Sequence, residues 1–318
     1  MPAAFEAADF PELFTFRPKP DPMEESILTT LFLPLALAFI MAGMGLSLTV
    51  GDFKRIVVYP KAVMLGLVCQ LVLLPVLGFA LVKGFSVTGA LAVGVMIIAA
   101  CPGGATSNLI CHLSKGDTAL SISLTAVSSF ITVLTIPLIV NFAVDFFGEE
   151  GTVRLPWSQT VVQIFGITVL PVSIGMWIKG RRPDFAAKAD KPVRVMSALF
   201  LALIIIAALL KERENVVAFF KLVGPITLLL NLASLAMGLA VGALFALNRK
   251  QRLTLSIETG IQNGTLGILV AATLLKNATM TIPSAIYSLI MFGTAFVVIV
   301  LGNRWIGKGE ISVSSAAD

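Results

Sequence analysis

The sequence predicts an all-α integral membrane protein of nine transmembrane helices, arranged as an inverted five-helix repeat that lacks its first helix. Three observations lead there. Hydrophobic residues make up 57% of the 318-residue chain and charged residues only 13%, where soluble domains carry roughly a quarter charged. Windows of about 20 apolar residues, the length a bilayer core demands of a helix, fall at 27–49, 60–82, 88–113, 117–147, 157–178, 193–210, 221–247, 251–275 and 279–305. Two of these windows, the third and the eighth, are interrupted by polar and helix-breaking residues.

Residues 1–26 form a polar tail with Glu6, Asp9, Glu12, Asp21, Glu24 and Glu25 against Arg17 and Lys19. It has neither the basic start nor the small-residue cleavage site of a signal peptide, and it is too polar to supply the missing first helix. The second span holds a single amide, Gln70, in the apolar run Leu65 to Val82. Buried alone it would cost a few kcal/mol, so it needs a partner. In the third span, Ala100-Cys101-Pro102-Gly103-Gly104-Ala105-Thr106-Ser107-Asn108 combines a residue without a backbone donor and a glycine pair that favours non-helical dihedrals. This helix is expected to break at mid-membrane. On the fourth span Ser121 and Thr125 lie one turn apart and share a face; single hydroxyls in such a helix commonly bond back to their own carbonyls, so their interest lies in what that face meets.

The segment after the fifth span carries Lys179, Arg181, Arg182, Lys188, Lys191 and Arg194, and the turn before the eighth carries Arg249, Lys250 and Arg252. Assigning the connections alternately divides the 23 Lys and Arg as 15 on the C-terminal side and 8 on the other. The positive-inside rule then places the N-terminus outside and the tail 306–318 in the cytoplasm, in a multi-pass protein of the inner (plasma) membrane. Topology accounts for the pI of about 9.2, and no nucleic-acid partner is implied. Cys69, Cys101 and Cys111 lack zinc-site spacing and read as packing residues, and His112 reads as interfacial. No nucleophile–base set and no phosphate-binding loop is present, so the chain does not read as an enzyme or as an ATP-driven pump.

The eighth span contains Ser256-Ile257-Glu258-Thr259-Gly260-Ile261-Gln262-Asn263-Gly264. A carboxylate near a bilayer midplane costs about 2.5–3.5 kcal/mol on insertion scales, and such residues mark proton or cation pathways. Unwound backbone at that depth survives only where it is buried in protein or lines a cavity, and its freed carbonyls are cation ligands. The two interrupted spans are five apart, and an odd number of crossings turns the second copy upside down. This is the inverted repeat of secondary transporters, with units of 27–147 and 157–305.

The runs Cys101 to Asn108, Gly116-Asp117-Thr118-Ala119-Leu120-Ser121 and Glu258-Thr259-Gly260-Ile261-Gln262-Asn263 resemble the bile acid:sodium symporter family, in its nine-span form. The resemblance covers about residues 27–305. It implies a core domain, in which two discontinuous helices cross, and a panel domain, with two sodium ions bound behind the crossing. By position, one sodium would take Ser107, Asn108, Ser121, Thr125 and Glu258. The other would take Gln70, Glu258, Gln262 and the backbone carbonyls of Thr259 and Ile261. Substrate, a small organic anion that is bile-acid-like or smaller, would sit near Thr106, Asn108 and Asn263. The expectation is therefore sodium-coupled symport by alternating access. One alternative keeps the fold and makes Glu258 a proton carrier; a ligand-binding membrane receptor would need an output domain that neither tail supplies, and a channel would need a continuous polar stripe. Oligomeric state stays open.

Overall fold

The structure is a computed structural model that describes residues 31–53 and 60–314, with side chains to residue 306. The expectations for tail 1–26 and for the side chains of the C-terminal tail lie outside the described residues. Among the described residues every regular element is a helix. In chain order they are α1 (Leu33–Ser47), α2 (Pro60–Gly84), α3 (Gly89–Ala100), α4 (Ala105–Leu113), α5 (Thr118–Phe147), α6 (Trp157–Arg181), α7 (Pro183–Lys211), α8 (Val216–Leu244), α9 (Arg249–Gly260), α10 (Gly264–Leu274) and α11 (Ile282–Ser314). The long apolar members α2, α5, α6, α7, α8 and α11 supply six helices able to cross a bilayer. Their outer faces show Leu134, Leu138, Leu199, Leu203, Ile206 and Phe296, an apolar surface that suits lipid and not water.

The helices begin and end for local reasons. Asp117 caps α5 by accepting from Leu120 N–H at 3.1 Å, and Asn248 with Gln251 forms a reciprocal capping box at α9. The basic segment expected to be a loop is helical instead. α6 runs to Arg181 and α7 starts at Pro183, since proline at a first helical turn loses nothing by lacking its N–H. Among the described residues four non-glycine positions adopt left-handed φ: Ser86 at 54°, Lys115 at 59°, Ala246 at 56° and Lys276 at 51°. They fall just past α2, α4, α8 and α10, and they pair across the chain at a nearly constant offset. The caps after α2 and α8 share one bonding pattern. Val87 N–H returns to Val82 O and Ser86 N–H to Lys83 O; Leu247 N–H returns to Gly242 O and Ala246 N–H to Ala243 O, as in a Schellman motif.

α1, α6 and α7 pack mainly on one another, and the remaining helices surround α3, α4, α9 and α10. Where α1 crosses α6, two glycines meet: a Cβ on Gly175 would lie 2.2 Å from Ala42 O, and one on Gly45 2.2 Å from Val172 O. Without a bilayer-driven hydrophobic effect between helices, this backbone-to-backbone approach is what packs them. Lys179 of α6 donates to Ser47 O at 2.7 Å, and Ser47 Oγ donates to Asp190 of α7 at 3.0 Å, which ties the same three helices at one end.

Gly175→Leu is expected to wedge α1 from α6 and lower stability by about 1–3 kcal/mol, read as a fall in melting temperature in detergent. Gly180→Leu, on the same helix but with open space around it, serves as the control and should melt as the parent does.

Candidate functional site

Two interruptions meet in the middle of the molecule. α3 stops at Ala100, with Cys101 extended at φ −70°, ψ 150°, and α4 resumes at Ala105. α9 stops at Gly260, with Ile261 extended at φ −106°, ψ 101°, and α10 begins at Gly264. The gaps lie antiparallel, pairing Gly103 with Gln262, and Asn263 N–H donates to Pro102 O at 2.9 Å. None of Gly103, Gly104, Gly260 and Gly264 has positive φ. Left-handed backbone is therefore not why they are glycine; for Gly103, Gly260 and Gly264 it is proximity, whereas a Cβ on Gly104 would meet Asn263 at an ordinary 3.6 Å. A Cβ on Gly103 would fall 2.8 Å from Glu258 Oε2 and 3.1 Å from Gln70 Nε2, and one on Gly264 would fall 1.9 Å from Ser288 Oγ.

Glu258 sits beneath this crossing and is 1% exposed. Ser121 donates to its Oε1 and Thr125 to its Oε2, the latter at 2.7 Å. The hydroxyl face of α5 is thus turned to the carboxylate and not back on its own helix. Asn108 Oδ1 faces the same hydroxyls, lying 2.8 Å from Ser121 Oγ and 3.2 Å from Thr125 Oγ1, whose single O–H groups are directed to the carboxylate. Ser107 Oγ lies 3.4 Å from Thr125 Oγ1 and donates to Gly104 O at 2.8 Å. Five side chains from three elements, Ser107, Asn108, Ser121, Thr125 and Glu258, are therefore contiguous. Among the described residues no basic side chain forms an ion pair with Glu258.

A second group lies on the other side of the carboxylate. Gln70 occupies a widened π turn, Cys69–Leu73. Pro75 follows that turn, and its missing N–H leaves a carbonyl one turn back without the usual donor. From there Gln70 Nε2 donates to Glu258 O at 2.7 Å, while Gln262 Nε2 donates to Thr259 O at 2.7 Å. Both amides spend their nitrogens on the end of α9, and their oxygens, Gln70 Oε1 and Gln262 Oε1, are buried without a donor. Thr259 and Ile261 are fully buried beside them. An unpaired buried acceptor costs about 1–3 kcal/mol, so each of these two oxygens calls for a donor or a cation.

Thr106, Asn108 and Asn263 line one cavity of about 290 Å³ between the crossing and the α1–α7 wall. Its sides are Met41, Met44, Leu48, Ile122, Leu201 and Met291, and Ser47, His112 and Arg194 also line it. Arg194 is held by Asp190 of its own helix. The N-terminus of α4 reaches this space with no side-chain cap, whereas Asn263 caps α10 through Leu266 N–H at 3.1 Å.

A third polar group, absent from the sequence candidates, gathers at Gly260: Asn231, Tyr287 and Thr294. The signal was available: Asn231 is the one amide in the apolar run of α8, as Gln70 is in α2. Arg194, one of the basic residues after the fifth span, reaches the cavity on α7, which starts early at Pro183.

A sequence model of the Sodium Bile acid symporter family matches residues 34–219. The uncharacterized sodium-dependent transporter YocS of Bacillus subtilis is 29% identical over 88% of this chain and 81% of its own length. The human ileal sodium/bile acid cotransporter is 27% identical over 75% of this chain and 68% of its own. The probable chloroplastic sodium/metabolite cotransporter BASS2 of rice is 28% identical over 79% of this chain and 59% of its own.

Ser121→Ala and Thr125→Ala each strip one donor from a buried carboxylate and are each expected to cost about 1.5–3 kcal/mol. Thermal unfolding in potassium salts measures this. Ser129→Ala, whose hydroxyl bonds only back to Thr125 O, should cost under about 1 kcal/mol.

Proposed function

The chain belongs to the sodium bile acid symporter family, and from that premise we propose that it couples inward movement of a small organic anion to sodium by alternating access. The observation that carries the reading is the buried Glu258, with no basic partner, set between two clusters of oxygen donors. Hydroxyl, amide and carboxylate oxygens are what a hard cation prefers. One sodium would take Ser107, Asn108, Ser121, Thr125 and Glu258; the second would take Gln70, Glu258, Gln262 and the carbonyls of Thr259 and Ile261. The orphaned Gln70 and Gln262 oxygens support this second position, because a cation satisfies both at once. A proton would need the carboxylate alone and would leave them unpaired, so sodium is the better fit.

The anion would bind in the cavity, at the uncapped N-terminus of α4 with Thr106 and Asn108, and beside Asn263. Partial positive charge at that helix end favours an anionic group. The cavity of about 290 Å³ stands at the small end of the range of about 300–1,000 Å³ for ligand pockets, which favours a small organic acid over a steroid. Two sodium ions moving with a monovalent anion carry net positive charge inward, so an inside-negative potential helps.

The architecture we propose has nine spans in units of 27–147 and 157–305, inverted with respect to each other. The N-terminus lies outside, the C-terminus in the cytoplasm, and the bilayer is the inner membrane. The paired left-handed caps support the repeat, as does the pairing of Gln70 with Asn231 and of Asp117 with Asn277 at nearly the same offset. Asp117 and Asn277 each accept an N–H three residues on, at 3.1 Å. α1, α6 and α7 would form the panel and the other helices the core.

Sodium that binds only the folded protein raises its melting temperature by mass action. NaCl, but not KCl at matched ionic strength, should therefore stabilise the wild type, with no such difference for Glu258→Gln. In vesicles, Glu258→Gln and Gln262→Ala should abolish sodium-dependent uptake while the protein remains in the membrane. Wild-type uptake by purified Glu258→Gln would sink the proposal.

A further inference from the structure

A helix that stops inside a protein must place its last carbonyls. At the end of α9 each has an identifiable donor. Ile257 O accepts from Ile261 N–H at 2.8 Å, Glu258 O from Gln70 and Thr259 O from Gln262, both at 2.7 Å. Gly260 O is different: it accepts from Tyr287 Oη and from Asn231 Nδ2, each at 2.7 Å. A carbonyl oxygen has two lone pairs, and both are taken by side chains rooted on two other helices, α8 and α11.

Those donors are themselves fixed. Thr294 Oγ1 donates to Asn231 Oδ1 at 2.7 Å, which fixes the amide with its nitrogen toward Gly260. Asn231 and Tyr287 are both 0% exposed, so water does not compete for them. Leu235 of α8 closes the remaining space, since a Cβ on Gly260 would lie 2.4 Å from its Cγ. The peptide joining Gly260 to Ile261 can turn only by giving up both bonds.

We infer that Asn231 and Tyr287 are positioning residues for the cation site: by clamping the Gly260 carbonyl they withdraw it from the ion and fix the aim of the Thr259 and Ile261 carbonyls on either side. The inference rests on the cation reading above. It also assigns a role to the third polar group, which touches neither the proposed ions nor the cavity. Gln70 in α2 and Asn231 in α8 then act as a matched pair. Each is a lone amide in an apolar helix, and each donates to a carbonyl at the end of α9, so the break is held from two neighbouring helices.

The test is the sodium concentration that gives half the maximal rise in melting temperature, with KCl keeping ionic strength constant. Tyr287→Phe removes one hydroxyl and keeps the ring. It should raise that concentration about three- to ten-fold, the scale of one net hydrogen bond, and the rise at saturation should persist. Thr294→Val, which bonds neither Gly260 nor any proposed sodium ligand, should shift it in the same direction by less, and it stands in if Tyr287→Phe does not fold. A lower melting temperature with unchanged half-saturation in both variants would make the residues structural only and overturn the inference. If the wild type fails to distinguish NaCl from KCl, the cation reading itself falls and takes this inference with it.

Discussion

A carboxylate held deep in the protein, without a basic neighbour among the described residues, governs the arrangement around it. The Glu258 carboxylate is answered by the hydroxyls of Ser121 and Thr125, and the groups gathered around it demand structure elsewhere. Ser121 and Thr125 must lie on one face of α5, and that face must reach the crossing. Asn108 must begin a second turn of α4 just past a break. Gln70 must be swung inward by a π turn. Neutralising Glu258 with a lysine would make all of this unnecessary, and would also remove the demand for a mobile cation. In the proposed function the cost of the buried charge is coupled to transport, because a diffusible ion would complete the site.

The second constraint is closeness. At the crossing, the glycines let a carboxylate, an amide and two chain segments occupy space that a single methyl would fill, and at the contact of α1 with α6 they let backbone rest on backbone. In lipid, where apolar side chains gain little by meeting each other, such short approaches are the source of packing energy. The same residue type therefore serves two unrelated parts of the molecule for one reason.

Much of this was written in one dimension. An apolar helical membrane protein follows from composition alone, and Glu258, Gln70 and the Pro102 segment stand out because a polar group in an apolar run has to be answered by something. Ser121 and Thr125 could be singled out by spacing, but the direction of their hydroxyls depended on a partner 133 or more residues away. Asn231 carries the same signal as Gln70, a lone amide in an apolar run, but its partners Tyr287 and Thr294 lie 56 and 63 residues away. The start of α7 at Pro183 was hidden by a basic stretch that imitates a loop, and with it the approach of Arg194 to the cavity. The glycine motif was found for the wrong physical reason: periodicity and propensity describe a residue's own backbone, whereas here the decisive quantity is the neighbour's position. Cavity width belongs to the same class, being a property of two faces that no local pattern encodes.

The single antiparallel bridge between the two gaps, Asn263 N–H to Pro102 O, has a mechanical meaning. Four helical stubs end at one point and are stitched there by main chain, which cannot be shortened or rotated independently on the two sides. A force that tilts α3 and α4 is passed directly to α9 and α10, so the crossing behaves as a common axle and not as two separate hinges. In the proposed transport cycle the crossed helices would therefore contribute one degree of freedom, and the side chains they carry would keep their spacing.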